Sequence, residues 1–263
     1  RIYPTPDQAD FLNQQFCAVR FAYNKALHII STQYRRHGVS LKARKDIKPL
    51  LVVAKKSRKY CWLEQYDSIA LQQAVINLGK AFDNFFDKKK GFGYPKFKRK
   101  HGEQKSYHCT SVSVTGNGIK IPKIKTPIPA NIHREIDGKV KSITISRTVT
   151  GKYYASILVD DGQEAPKTTK TVSRITGIDL GLSHFAISSE GHKEANPRFL
   201  KRAERNLRRK QRQLSRKQKG SKNRAKARLL VAKCHEKVAN ARADFQHKYS
   251  RQLIDENQAI VVE

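Results

Sequence analysis

The segment Gly177-Ile178-Asp179-Leu180-Gly181 sets a single carboxylate in an otherwise apolar run. A charge among apolar neighbours is costly unless a cation or hydrogen bonds compensate it, so the residues fit a metal ligand or a hydrogen-bonded structural aspartate. The flanking glycines let a second backbone or a phosphate approach closely. Glu263 repeats the pattern at the end of Ala259-Ile260-Val261-Val262. Hard divalent cations such as Mg²⁺ or Mn²⁺ take carboxylate oxygens, and two-metal phosphodiester hydrolysis uses several of them to hold both ions. Two acids at strand ends suit that task, although Glu263 taken alone also reads as a solvated strand end. The two stand 84 residues apart, so whatever lies between must be an insertion between strands that meet in space.

A second kind of chemistry lies in Gly91-Phe92-Gly93-Tyr94-Pro95-Lys96-Phe97-Lys98-Arg99-Lys100, which follows Lys88-Lys89-Lys90 and interleaves rings with cations. Cations neutralise phosphates, and rings stack on unpaired bases. Phe92, Tyr94, Lys96, Phe97, Lys98, Arg99 and Lys100 are the candidate contacts. Residues 198–251 carry 20 Lys+Arg against 3 Asp+Glu, a net +17. There the candidates are Arg208, Arg209, Lys210, Arg212, Arg216 and Lys217. A charge run is often only a solvated face, but these two belong to a chain of 263 residues with 54 Lys+Arg, 22 Asp+Glu and a net charge of +32. Such an imbalance calls for a polyanionic partner. Nucleic acid fits better than an anionic membrane, because no lipidation signal, amphipathic anchor or run of ~20 apolar residues accompanies the charge. No small-molecule substrate is expected.

Other reactive residues are weaker candidates. Cys17, Cys61, Cys109 and Cys234 lie far apart with no C-x-x-C pair, as reduced thiols of a cytoplasmic protein would. His108-Cys109 and Cys234-His235 lack further ligands at zinc spacing. His184 lies near Asp179 and reads as a packed histidine, His247 has no assigned role, and no Ser-His-Asp or Cys-His nucleophile arrangement is visible.

These residues need elements to position them. Thr5-Pro6-Asp7-Gln8 has the form of a capping box with proline at the first helical position. Leu12, Phe16, Val19, Tyr23, Leu27, Ile30 and Tyr34 then recur at helical spacing up to Gly38. A second stripe, Leu71, Val75, Leu78, Phe82 and Phe85, starts at Asp67 or Ser68, with a less definite helix between 41 and 60. From Ser106 to Asp161 the period is two, which predicts an antiparallel sheet or small barrel. Residues 162–173, with Pro166, read as a linker, and Ile175–Ser189 as a pair of strands turning at Glu190-Gly191. Leu200, Leu207 and Leu214 mark one basic helix, Gly220-Ser221 breaks it, and Ala227, Val231, Cys234, Val238 and Phe245 mark its antiparallel partner.

In chain order, Arg1-x-Tyr3-Pro4, Arg20-Phe21-x-Tyr23-Asn24, Gly93-Tyr94-Pro95-Lys96-Phe97, Gly177-Ile178-Asp179-Leu180-Gly181, Leu214-Ser215-Arg216-Lys217-x-Lys219-Gly220-Ser221, Asp244-Phe245-x-His247-Lys248 and Val262-Glu263 resemble the TnpB (OrfB) proteins of bacterial and archaeal insertion sequences. The likeness covers nearly the whole chain. It implies an α+β multidomain architecture: a wedge β-barrel over 1–10 and 103–165, a helical recognition domain inserted over 11–102, a linker at 166–173, and an RNase H-like (RuvC) α/β nuclease domain over 174–263 carrying a basic helical hairpin. TnpB proteins are RNA-guided DNA endonucleases that resemble ancestors of type V CRISPR effectors. They take a guide RNA transcribed from the transposon end and recognise a short motif beside the target DNA. Older descriptions call them transposases and label their N-terminal helices a helix-turn-helix. The family's first catalytic Asp matches Asp179 and its catalytic Glu matches Glu263, both as Mg²⁺ or Mn²⁺ ligands. Its third acid and a four-cysteine zinc ribbon fall beyond residue 263, so the chain reads as a C-terminally truncated piece that binds nucleic acid without cutting it.

Two rivals stand beside this reading. The Gly177–Gly181 motif also resembles the first phosphate motif of actin-like ATPases, against which the net charge and the following Leu182-Ser183-His184 argue. A nucleic-acid-binding accessory protein without catalysis is the other.

Overall fold

Thr5 opens helix α1, Pro6–His37, in the computed structural model, which describes residues 1–100, 105–164 and 172–263. The Thr5 hydroxyl accepts from the Gln8 amide at 3.4 Å, and the Gln8 carboxamide oxygen accepts from the Thr5 amide at 3.0 Å, the reciprocal box the sequence predicts. Gly38 ends the helix at φ 68°, a left-handed conformation that glycine adopts without a Cβ clash. Of the expected stripe, the residues from Leu12 to Ile30 are buried, whereas Tyr34 is 65% exposed because the last turn runs past the core.

A π turn at Ala43–Ile47 leads into α2, Lys48–Lys56, and a 3-10 turn at Cys61–Gln65 follows. The next helix, α3, spans Ser68–Phe86 and is capped by Asp67, whose carboxylate accepts from the Ile69 amide at 2.9 Å. Leu71, Val75 and Leu78 join α1 in one core. Phe85, expected there as a buried ring, is only half-buried, because α3 also outruns its partner. Phe85→Ala therefore loses less than the ~3–5 kcal/mol of a fully buried aromatic. Truncating Leu71, which is 0% exposed, should cost more. Leu71→Ala is expected to lower stability by ~2–5 kcal/mol, read as a lower denaturant midpoint at unchanged slope.

Strands β1 (Lys105–Cys109), β2 (Ser113–Thr115), β3 (Gly118–Lys120), β4 (Ile128–Pro129), β5 (Lys139–Arg147) and β6 (Tyr153–Asp160) form two antiparallel sheets, ordered β1-β5-β6 and β2-β3-β4. Ile2 bridges them, pairing with Tyr153 on one side and Ala130 on the other. The expected barrel does not close among the described residues. Strands β2 to β4 are two or three residues long, too short for the tilt and stagger closure requires, and no ladder joins β1 to β2. Phe16 meets Tyr107 edge to face at 5.6 Å, and Ile143 and Ile145 complete the same core, so helices and sheets of this unit, Arg1–Gln163, are packed together.

Cys109 lies inside that core, where burial and then the Asp67 carboxylate push its thiol up to about 12, whereas Cys17 and Cys61 are exposed. A chromogenic disulfide reagent at mildly alkaline pH should therefore label Cys17 and Cys61 in the native protein and Cys109 only after denaturation. Native labelling of Cys109 at the same rate would contradict this packing.

The second unit is Glu164–Glu263; residues 165–171, within the expected linker, lie outside the described residues. Strands β7 (Ile175–Leu180), β8 (His184–Ser188) and β9 (Lys193–Ala195) run antiparallel in succession. The expected hairpin over 175–189 is present but turns at Gly181-Leu182-Ser183. Glu190-Gly191 instead turns β8 into β9, the Gly191 amide donating to the Ser188 carbonyl at 2.9 Å. Helices α4 (Phe199–Ser215) and α5 (Lys222–Glu256) follow, then β10 (Ala259–Val262), which lies parallel to β7 in the order β10-β7-β8-β9. A parallel neighbour requires a long crossover, and the helical pair supplies it.

That pair is pinned at both ends. At its tip the Ser221 hydroxyl accepts from the Arg224 amide, and the Arg224 guanidinium donates to the carbonyls of Leu214 and Lys217 at 3.1 and 2.9 Å. At its base Phe245 packs against Phe185 of β8 at 4.9 Å and Phe199 of α4 at 6.0 Å, which explains the ring in the Asp244–Lys248 motif. Among the described residues no helix is long and apolar enough to cross a membrane.

Candidate nuclease site and nucleic-acid surfaces

Strand pairing decides where the two acids go. Val262 is in register with Ile178, and the Glu263 amide donates to the Ile178 carbonyl at 3.0 Å. One further step of that register sets Glu263 beside Asp179, on strands about 4.8 Å apart. The 84 residues between them are spanned by β8, β9 and the helical pair. Asp179 itself differs from expectation. Ile178 is buried, but Asp179 alternates to the other side of β7 and is exposed, so desolvation does not force a cation on it. The pair is instead two hydrated carboxylates brought from distant sequence to one strand end, a donor set that suits a hard cation. Among the described residues no third His, Cys, Asp or Glu completes a metal-binding group with them.

Other acids and histidines have positions or partners of their own. Asp255 pairs with Arg251 at 2.9 Å, Glu194 lies 3.8 Å from His192, and His247 is exposed. His108 shares a hydrogen bond with Thr144, and half-buried His184 opposes Ala195 across the sheet.

Part of the hairpin's charge is gathered on one face of α4. Arg208, Arg209, Arg212 and Arg216 line an open groove together with Lys201, Arg202 and Arg205, while Lys210 and Lys217 do not face it. Lys201, Arg202 and Arg205 were missed by sequence reasoning, although Arg205 stands three and four residues before Arg208 and Arg209, and Lys201 and Arg202 stand four and three before Arg205, which puts all of them on that face. Glu204 tempers the stripe through Arg208 at 2.6 Å, an exposed pair of little energetic weight.

The 91–100 segment is less uniform than its sequence. Tyr94, expected as a free ring, contacts Phe82 and Phe85 edge to face at 5.6 and 5.4 Å, and its hydroxyl shares a hydrogen bond with Ser31. Lys98 lies 4.3 Å over the Tyr23 ring, and burial holds its ammonium below the usual lysine range. Phe92 and Phe97 keep 60% and 56% of their surface exposed, and Lys96, Arg99 and Lys100 are exposed. Phe86, 70% exposed at the end of α3, contacts Phe85 at 5.1 Å and Phe82 at 6.3 Å and is a ring that the sequence reading did not single out.

Residues 155–263 match a family model described as "Probable transposase" (OrfB_IS605), and residues 1–38 match one described as "Helix-turn-helix domain" (HTH_OrfB_IS605). Over 1–38 the chain forms one uninterrupted helix, Pro6–His37, rather than two around a turn. The chain is 64% identical to "Virulence protein VsdF" of Salmonella dublin over 108 residues, 39% of this chain and 91% of that protein. It is 36% identical to a "Putative RNA-guided DNA endonuclease" of Streptomyces pristinaespiralis over 100% of its own length and 65% of the relative's. With "Putative RNA-guided DNA endonuclease InsQ" of Escherichia coli (strain K12) it shares 29% identity over 94% of this chain and 60% of that protein. The chain thus spans less than two thirds of both endonuclease-named relatives. Matched by the two OrfB models over residues 1–38 and 155–263 and by the Streptomyces relative along its whole length, the chain belongs to the TnpB (OrfB) family.

Proposed function

We propose that the chain is the nucleic-acid-binding portion of a transposon-associated, RNA-guided DNA endonuclease, with Asp179 and Glu263 as two carboxylates of a RuvC-type metal site. The observation that carries this reading is the parallel β7–β10 pairing, which sets Glu263 next to Asp179 around a strongly basic inserted hairpin. The names of the Streptomyces and Escherichia relatives support the same activity. Guide RNA and target DNA are the partners, held by the α4 arginine face and the 91–100 segment. Asp179 and Glu263 would hold Mg²⁺ or Mn²⁺ through carboxylate oxygens. When bound, such an ion polarises a phosphodiester and lowers the pKa of water. Residues 1–263 by themselves bind nucleic acid without cutting it.

The experiment is competition filter binding of residues 1–263 to a structured RNA and to duplex DNA of equal length across a salt series. Structured RNA should bind more tightly, because A-form shape, its backbone and unpaired loop bases all meet basic and aromatic surfaces. Affinity should fall by ~0.7–0.9 logarithmic units per phosphate neutralised for each tenfold rise in salt. Salt-independent binding, or equal affinity for heparin, would overturn the reading.

A further inference from the structure

Phe97 forms one wall of a groove of about 340 Å³ along the outer side of α1, faced by Arg20, Phe21, Asn24, Lys25 and His28. These α1 residues recur at helical spacing between the positions that α1 buries, so folding leaves this stripe on the surface. The opposite wall is fixed from behind. The Asn24 carboxamide accepts from the Lys98 amide at 2.8 Å and donates to the Lys98 carbonyl at 2.9 Å, gripping both sides of one residue. Pro95 is buried two residues before Phe97, and the Lys98 ammonium is seated over Tyr23. The backbone on either side of Phe97 is therefore ordered around a ring that folding itself leaves mostly in water.

What fits such a groove is a flat apolar ring attached to a negative charge. An aromatic face offers stacking, Arg20 and Lys25 offer cations, and no Asp or Glu lines the groove. A paired base inside a duplex has both faces already stacked, so only an unpaired base can use Phe97. We propose that this groove seats one unpaired nucleobase of a bound strand, its face on Phe97 and its phosphate beside Arg20 and Lys25, with Asn24 as the positioning residue. The inference rests on the nucleic-acid-binding reading above and adds a site to it. RNA and DNA share the chemistry, and the test separates them.

Single-stranded RNA and DNA oligonucleotides carrying 2-aminopurine report stacking by loss of fluorescence, and matched duplexes report backbone binding alone. On the wild-type chain the single strands should be quenched. Phe97→Ala should remove the quenching and weaken single-strand binding about tenfold, within the range for one base on one ring. Duplex affinity and the salt slope should not change, because no cation is lost. Phe97→Trp should restore both signals, and Asn24→Ala should reduce quenching at the same salt slope. The nucleic acid showing the larger loss is the one seated. Parallel loss of single-strand and duplex affinity in Phe97→Ala, or no loss in either, overturns the proposal. Failure of the wild-type chain to bind any nucleic acid overturns the underlying reading instead. Phe97 is exposed, so melting curves matching wild type are expected for Phe97→Ala and Phe97→Trp.

Discussion

Replacing Arg205, Arg208, Arg209 and Arg212 together by alanine should weaken RNA binding by about two to three orders of magnitude at physiological salt and flatten the salt dependence by about three logarithmic units per decade. All four line one groove on α4, and each is exposed. Every phosphate they neutralise releases counterions, so the loss appears in the slope as well as the affinity. Folding should not suffer. The Arg208–Glu204 pair is exposed and contributes at most about 1 kcal/mol. Alanine favours helix, and removing like charges relieves self-repulsion in a chain of net charge +32. Filter binding over a salt series beside a thermal melt separates the two effects. An unchanged slope would mean that the arginine face is only solvated, and a large drop in melting temperature would mean that it is structural.

How much of this was legible depended on whether the determining contacts were local. The Thr5–Gln8 box, the stop at Gly38 and the break at Gly220-Ser221 each involve a few consecutive residues, and each lies where the sequence puts it. The pairing of β7 with β10 followed from two similar strand ends and a helical stretch long enough to cross between them. Exposure was not legible, because periodicity marks a face without saying what covers it. Asp179 reads as a buried charge among Ile178, Leu180 and Leu182, yet Leu180 and Leu182 are 52% and 90% exposed. Phe85 and Tyr34 lie on true stripes beyond the ends of their partners. Tyr94 is identical in type to a free stacking ring, and only the fold shows that Phe82 and Phe85 occupy it. The grip of Asn24 on Lys98 spans 74 residues and leaves no trace in spacing.

Cleavage is where the largest effect is expected. In a chain extended to the length of the endonuclease-named relatives, Asp179→Ala should abolish target cutting while RNA binding stays within a few-fold. The carboxylate is exposed, and its removal leaves every basic surface intact. Glu263→Ala should behave alike, because its strand places it beside the same point. The most direct measurement is a cleavage gel run with guide RNA, target DNA and Mg²⁺, paired with a filter-binding curve for each protein. Residues 1–263 are expected to bind without cutting, the extended chain to cut, and its Asp179→Ala variant to lose cutting alone. Strong cutting by residues 1–263, or undiminished cutting by the extended Asp179→Ala protein, would contradict that.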